Sequence, residues 1–300
     1  MKNKIFCPNT VISPLQASKI MRVNMLAPVN KIIPLSVVDG IGNRTVIFLQ
    51  KCNIACAYCH NPETQQICNG CGYCVKECPK GALSMKDIVE WDSGKCIQCD
   101  HCIQICPNFS SPKIQYMTVE EVLEQVKQNI PFIRGITVSG GECMLYPKFL
   151  CSLFEGAHKV GLSCYIDSNG TIDFSEQKEL LAFTDKVMLD VKAWDEDVFR
   201  RLTGGSNEIV KKNLKYLAEN NKLEEVRIVC QETMVDVERI ICEVAKTVAE
   251  KKNDFTLKLI RFRNQGVKGA LKKADTPTME QMNHWKKIAN QQGFLHITIV

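Results

Sequence analysis

The sequence predicts an α/β fold in which a parallel sheet carries outer helices and is interrupted, near its start, by a small cysteine-rich insert. Three observations predict it. Short β-branched, apolar runs alternate with helical patterns from Thr118 onward, and such βαβα alternation implies parallel strands. Each run ends in a polar cluster, the arrangement expected where strand ends share one rim. Eleven of the 17 cysteines fall between Cys52 and Cys106, at spacings suited to metal ligation and not to the disulfides of a small secreted domain.

Composition narrows the function classes. A chain of 300 residues with 45% apolar content can bury one large α/β core and still carry an insertion. The net charge of +5 is mild and argues for neither a nucleic-acid partner nor a membrane patch. No run approaches a membrane span, and Pro8, Asn9, Pro14, Gln16 and Lys19 break the N-terminus too often for a signal segment. The expectation is a reduced, cytoplasmic protein with no membrane or nucleic-acid partner.

In chain order, residues 1–28 hold prolines and no sustained period, so they read as a loose extension, with Cys7 lacking a nearby partner. The main domain is expected over 29–63 and 114–300, and the insert over 64–113. Arg44–Gln50 reads as a buried strand after the turn signal Asp39-Gly40-Ile41-Gly42. Thr118 and Glu121 form a capping-box pattern before the helical run Val119, Val122, Leu123 and Val126. Strands follow at Ile136–Ser139, Ser163–Ile166, Lys186–Leu189, Glu225–Val229 and Thr256–Ile260. Helices are expected over 147–160, 210–217 and 237–248.

The loop after the first strand carries Cys52, Cys56 and Cys59 as Cx3Cx2C. Three thiolates from one loop can hold a [4Fe-4S] cluster and leave its fourth iron open for a small molecule. The alternative is a zinc loop completed by His60, which is poorly placed beside the last cysteine to turn back onto the same metal. The insert then shows Cys68-x2-Cys71-x2-Cys74-x3-Cys78-Pro79 and repeats the spacing as Cys96-x2-Cys99-x2-Cys102-x3-Cys106-Pro107. This is the bacterial ferredoxin pattern, in which the fourth cysteine of each run reaches the other cluster. It assigns Cys68, Cys71, Cys74 and Cys106 to one cube, and Cys96, Cys99, Cys102 and Cys78 to the other. Two zinc ribbons are the competing reading. Ala82–Ser84 and Ile88–Trp91 are candidate cover strands.

The strand ends supply candidate ligand groups. Gly140 and Gly141 let backbone approach a ligand, and Glu142 can accept a hydrogen bond from an ammonium group. Asp167 and Asp190 can frame a small cation or a ligand hydroxyl, and Lys192 can meet a carboxylate. Arg227 and Arg263, on or just past the later strands, are further candidates. Singly, each of these charges also reads as a solvated strand end. Together, beside an open-sided cluster, they describe a pocket for an amino acid carrying a nucleoside.

The Cys52/Cys56/Cys59 motif, with Tyr58 before its last cysteine, resembles the radical S-adenosylmethionine superfamily signature. Asp39-Gly40 through Arg44, Phe48-Leu49-Gln50 and Cys52 through His60-Asn61-Pro62 resemble the glycyl-radical enzyme activating enzymes, in the branch with a two-cluster ferredoxin insert. Ser139–Glu142, Asp167–Gly170 and Met188–Lys192 are similar to the same family. Lys31–Asp39 and Leu259–Arg263 look most like its YjjW-type members. In that family Gly commonly stands where Lys51 does, Pro where Ile41 does, and Pro or Ala where Cys143 does.

The resemblance implies a partial (β/α)6 radical-SAM barrel with an inserted bacterial-ferredoxin-like two-cluster domain, and three [4Fe-4S] clusters in all. It implies that S-adenosylmethionine chelates the open iron. Gly140, Gly141 and Glu142 then orient its ammonium, Ser168 and Asn169 its ribose side, and Lys192 with Asp190 its carboxylate. Tyr58 and His60 wall the adenine. Reductive cleavage would give a 5′-deoxyadenosyl radical that takes a Cα hydrogen from a glycine of a partner enzyme, with a flavodoxin- or ferredoxin-type reductant supplying electrons. The insert is then an electron relay or a structural and docking element. Other classes remain as alternatives: a radical enzyme acting on another protein residue or a small metabolite, or a multi-cluster electron-transfer protein. Cys143, Cys151, Cys164, Cys230 and Cys242 read as small buried hydrophobes, with Cys143 nearest the expected pocket.

Overall fold

The sheet is built from alternating faces. The structure, a computed structural model, describes residues 25–267 and 269–300. Its strands in chain order are β1 (Leu26–Ser36), β2 (Arg44–Leu49), β3 (Leu83–Met85), β4 (Val89–Trp91), β5 (Gln115–Thr118), β6 (Gly135–Gly140), β7 (Ser163–Ser168), β8 (Lys186–Asp190), β9 (Leu223–Cys230), β10 (Thr256–Arg261) and β11 (Ile297–Ile299). On β6 to β10, the residues Ile136 and Val138, Cys164 and Ile166, Val187 and Leu189, Val226 and Ile228, and Leu257 and Leu259 all join the main apolar core. Each fully buried aliphatic side chain of this kind is worth about 1.5–3 kcal/mol. Residues between them face the other way and carry the polar groups described below, because successive strand side chains alternate.

One sheet of nine strands has the order β11-β10-β9-β8-β7-β6-β2-β1-β5. β2, β6, β7, β8, β9, β10 and β11 pair in parallel. β1 runs antiparallel to both β2 and β5. The six expected strands are therefore consecutive and parallel, and the sheet stays open at its two edges. Crossover helices cover the apolar face: α3 (Val119–Lys127), α4 (Pro147–His158), α7 (Glu208–Glu219), α8 (Val237–Val248) and α9 (Met279–Gln291); α1, α2, α5 and α6 are Tyr73–Lys76, His101–Gln104, Lys178–Ala182 and Glu196–Thr203. Thr118 and Glu121 form the expected capping box at the start of α3. Among the described residues no helix is long and apolar enough to cross a membrane.

Two corrections concern the edges. The expected loose extension over 1–28 ends early, since Leu26–Pro28 already belong to β1 and pair with Tyr116–Thr118; residues 1–24, with Cys7, lie outside the described residues. The second edge strand, β11, was not expected, and α9 delivers it alongside β10.

At the N-terminal ends of the strands a buried arginine ties three of them together. Arg44 is 1% exposed; its Nε donates to Thr137 Oγ1 at 2.8 Å, Nη2 to the Ile136 carbonyl at 2.7 Å and Nη1 to Ser163 Oγ at 3.0 Å. Its guanidinium carbon lies 3.6 Å from the centre of the Tyr165 ring. The polar interior is thus anchored at one end, and the functional groups collect at the other.

Candidate active site

The loop after β2 is fixed by backbone before any ligand is considered. Lys51 adopts φ +82°, a left-handed conformation that favours glycine, and its N–H donates to the Thr64 carbonyl at 2.8 Å. Cys52 N donates to Gln65 O at 3.0 Å, and Ala55 N and Ala57 N donate to Thr203 O and Leu202 O at 2.8 Å each. The buried Gln50 amide clamps the returning chain, donating to Glu63 O at 2.5 Å and Gln66 O at 2.6 Å.

Gly140 and Gly141 serve this same loop. A Cβ on Gly140 would sit 2.0 Å from Leu49 O, and one on Gly141 would sit 2.2 Å from Lys51 O. Both glycines also border the cavity, but the close approach that excludes a side chain is to the end of β2 for Gly140 and to the start of the cysteine loop for Gly141.

Cys52, Cys56 and Cys59 line one cavity of about 190 Å³, together with Tyr58, His60, Ser139, Gly140, Gly141, Asp167, Ser168, Asn169, Asp190 and Lys192. Burial pushes the Cys52 thiol up to about 11 and the Cys56 thiol up to about 12. Such thiols hold a soft metal centre well, because ligation supplies the positive charge that favours the thiolate. The Tyr58 hydroxyl is buried without a protein partner, leaving a donor beside the three thiols. Donor set and orphaned hydroxyl both fit a cysteine-held iron–sulfur cluster. A larger groove of about 800 Å³ opens beside Arg201, Asp236, Glu280 and Trp285; no cysteine lines it, so the metal chemistry belongs to the smaller cavity.

Several of the expected site residues already have partners within the chain. Glu142 is 0% exposed and lies behind the cavity wall: Oε1 accepts from Met144 N at 3.0 Å and Ser168 Oγ at 2.9 Å, and Oε2 accepts from Asn169 N at 2.8 Å. It orients the β7 end, and both of its oxygens already accept from the chain. Ser168 and Asn169 border the cavity, but their side chains are already engaged. Asn169 Nδ2 donates to Asn53 Oδ1 at 3.0 Å and contacts Cys52 Sγ at 3.7 Å. Protein cations already meet Asp167 and Asp190: Arg227 Nη1 lies 2.9 Å from Asp167 Oδ2, and Lys192 Nζ 2.7 Å from Asp190 Oδ2.

Arg227 is not on the cavity wall. Its Nε also donates to Glu225 Oε2 at 2.7 Å, and Glu225 Oε1 meets Lys258 Nζ at 2.6 Å. Burial opposes the Arg227 charge, but Asp167 and Glu225 outweigh it and raise the guanidinium further above its ordinary value. Lys192 does reach the cavity; burial works against its charge, yet Asp190 beside it holds the ammonium well above its usual range. Arg263 offers only its carbonyl, which accepts from His60 Nε2 at 2.8 Å, while its side chain is exposed and off the cavity. Cys143 is fully buried, its thiol donating to Val138 O, so it stays outside the pocket.

Asn61, Thr64, Gln65 and Val229 line the cavity without having been singled out. For Thr64 and Gln65 the signal was their position just past the cysteine loop, which their backbone carbonyls close.

In the insert each expected set of four cysteines borders one cavity. Cys78, Cys96, Cys99 and Cys102 share one with Leu83, Trp91 and Lys113; Cys68, Cys71, Cys74 and Cys106 share the other with Val89 and Ser110. β3 and β4 form an antiparallel hairpin over them. The sequence repeat is also a backbone repeat. Gly70 and Gly72 have φ +70° and +71°, and Gln98 and Asp100, at the matching positions, both have φ +55°. The second run achieves without glycine what the first does with it, helped by Lys113, whose ammonium donates to Gln98 Oε1 at 3.0 Å and Asp100 Oδ1 at 2.6 Å.

Glu142 yields a pH prediction. Burial raises its carboxyl to about 7 from an ordinary 4.5, so the folded state holds this proton more tightly than the unfolded chain. The associated stability is fully present below pH 4.5 and is lost as pH rises through about 7, amounting to roughly 3 kcal/mol. Urea midpoints at pH 4.5 and 8 should show this slope in the wild type and a flatter one in E142Q. Equal slopes would show that Glu142 does not titrate in this way.

Comparison with known proteins gives the family. Residues 46–241 match the radical SAM superfamily model. A Haemophilus influenzae protein, provisionally named a glycyl-radical enzyme activating enzyme, is 32% identical over 298 residues, covering 92% of this chain and 97% of its own. The isethionate sulfite-lyase activating enzyme of Oleidesulfovibrio alaskensis is 29% identical over 249 residues, covering 74% and 79%. Among solved structures, QueE from Escherichia coli superposes with a TM-score of 0.57 at 15% identity, over 94% of this chain and 97% of that one, a likeness of fold. The chain belongs to the radical SAM superfamily and, within it, to the glycyl-radical enzyme activating enzymes.

Proposed function

We propose that this protein cleaves S-adenosylmethionine reductively at a [4Fe-4S] cluster held by Cys52, Cys56 and Cys59, and that it thereby installs a glycyl radical in a partner enzyme. The observation that carries this reading is the convergence of those three thiols with the β6, β7 and β8 strand ends in one cavity. When bound, cluster and S-adenosylmethionine supply one-electron cleavage of the sulfonium S–C5′ bond, giving a 5′-deoxyadenosyl radical able to take a glycine Cα hydrogen.

The chain's own residues supply placement. The three cysteines bind the cluster, and the backbone bonds from Thr64, Gln65, Leu202 and Thr203 fix their loop. Lys192, kept charged by Asp190, presents an ammonium to an anionic group in the cavity. Gly140 and Gly141 border the cavity without side-chain bulk. Tyr58 and Ile54 exclude water from the wall. A pure electron conduit would need no such pocket.

For the insert we read two further [4Fe-4S] clusters, a reading supported by the two four-cysteine cavities. Their role is relay from a flavodoxin- or ferredoxin-type reductant. Anaerobic reconstitution tests the proposal: about twelve irons per chain for three cubes, formation of 5′-deoxyadenosine on reduction, and a glycine-centred EPR doublet when a candidate glycyl-radical enzyme is added. Fully loaded protein that forms no 5′-deoxyadenosine would sink it.

A further inference from the structure

Among the described residues, four buried side-chain polar atoms have no hydrogen-bond partner: Asn43 Oδ1, Tyr58 OH, Trp91 Nε1 and Ser110 Oγ. Asn43 Oδ1 only accepts. The other three can donate, and each belongs to a different cysteine cavity. Tyr58 borders that of the catalytic loop, Trp91 that of Cys78, Cys96, Cys99 and Cys102, and Ser110 that of Cys68, Cys71, Cys74 and Cys106. Buried donors are nearly always paired in folded proteins. One orphan donor in each of three sulfur-lined cavities indicates that the acceptor is the group the cysteines hold.

We propose that Trp91 and Ser110 are potential-setting donors of the insert: the indole N–H and the hydroxyl each donate to a sulfur atom of the cluster in its own cavity. The proposal rests on the two-cluster reading of the insert. A reduced cluster carries more negative charge on its sulfurs, so a donor stabilises that state and raises the reduction potential. Other donors reach the cysteine sulfurs themselves, Ala82 N to Cys78 Sγ at 3.3 Å and Asn108 Nδ2 to Cys71 Sγ at 3.8 Å, and Lys113, paired with Asp100 at 2.6 Å, also borders the Trp91 cavity; Trp91 and Ser110 differ in having no partner of their own. Trp91 is positioned by pairing opposite Leu83 in the hairpin. Ser110 is 1% exposed and follows Phe109, whose carbonyl accepts from Gln66 N at 3.1 Å; Gln65, one residue earlier, holds Cys52. The Ser110 cluster is therefore the one joined most directly to the catalytic loop, and Trp91 acts on the other.

The test is an EPR-monitored redox titration of the full, iron-loaded chain as wild type, W91F and S110A. Each variant should lower the midpoint of one insert cluster, a different one in each, with the remaining clusters unchanged. The expected size is about a tenfold change in the reduced-to-oxidised ratio at fixed solution potential, which is about 59 mV for a one-electron couple. Unchanged midpoints in variants that retain about twelve irons would overturn the proposal and leave the two-cluster reading intact. A wild-type chain holding only about four irons would overturn that reading itself.

A second measurement needs no variant. In wild-type protein carrying 15N-indole label, pulsed EPR should show one indole nitrogen coupled to a reduced insert cluster. The other two tryptophans, Trp194 and Trp285, border neither insert cavity, so absence of coupling in fully loaded protein refutes the Trp91 donor.

Discussion

Replacing Cys52 by alanine should abolish 5′-deoxyadenosine formation while leaving roughly eight of about twelve irons bound. The loop offers three thiols to its cavity, so losing one leaves two, too few to hold a cube with one open iron. The backbone of the loop does not depend on that thiol, since it hangs on bonds to Thr64, Gln65, Leu202 and Thr203. The insert cavities draw on other cysteines and should fill normally. Iron analysis and anaerobic product assay decide it. Residual cleavage near wild-type rate would remove Cys52 from the catalytic cluster, and loss of all iron would mean the three centres fold as one.

Arg227→Ala should be the most damaging substitution for stability, at about 3–5 kcal/mol, because it strands buried carboxylates without their cation. Among the described residues Asp167 loses its only ion-pair partner, whereas Glu225 keeps Lys258 at 2.6 Å. The double variant R227M/D167N should therefore recover a good part of the loss, since it removes the stranded charge and restores apolar volume. Denaturant midpoints of the three proteins measure this. A single-variant loss below about 1 kcal/mol would place the network in the weak, solvent-screened class instead.

Strands and cysteine groups were legible in the sequence for different reasons. The parallel strands announce themselves as β-branched apolar runs, and metal spacing is a local property of the chain, so the three cysteine groups could be read directly. What was not legible depends on distant partners. Gln115–Thr118 is short and half polar, and becomes a strand only by pairing with Leu26–Val29. Arg227 and Glu142 look like ligand groups when read along the chain. Their actual partners are Asp167, two strands away, with Glu225 on the same strand, and Ser168 with Asn169 at the end of the neighbouring strand; the alternation of faces that buries them is fixed by register, which a list of strand ends does not contain. Lys51 is the opposite case. Its position invites glycine, and the φ of +82° shows why.

The insert leaves and rejoins its host at nearly the same point. Gln66 N meets Phe109 O at 3.1 Å, and β5, which follows the insert, pairs with β1, which itself pairs with β2. The host strands thus keep their pairing on either side of the insert, and the cysteine-rich segment is a side branch of the sheet. Excising the branch and bridging its ends with a short turn requires no strand to change neighbours. A module attached in this way can be exchanged, lost or acquired while the host sheet keeps its topology, so the two parts are free to evolve separately.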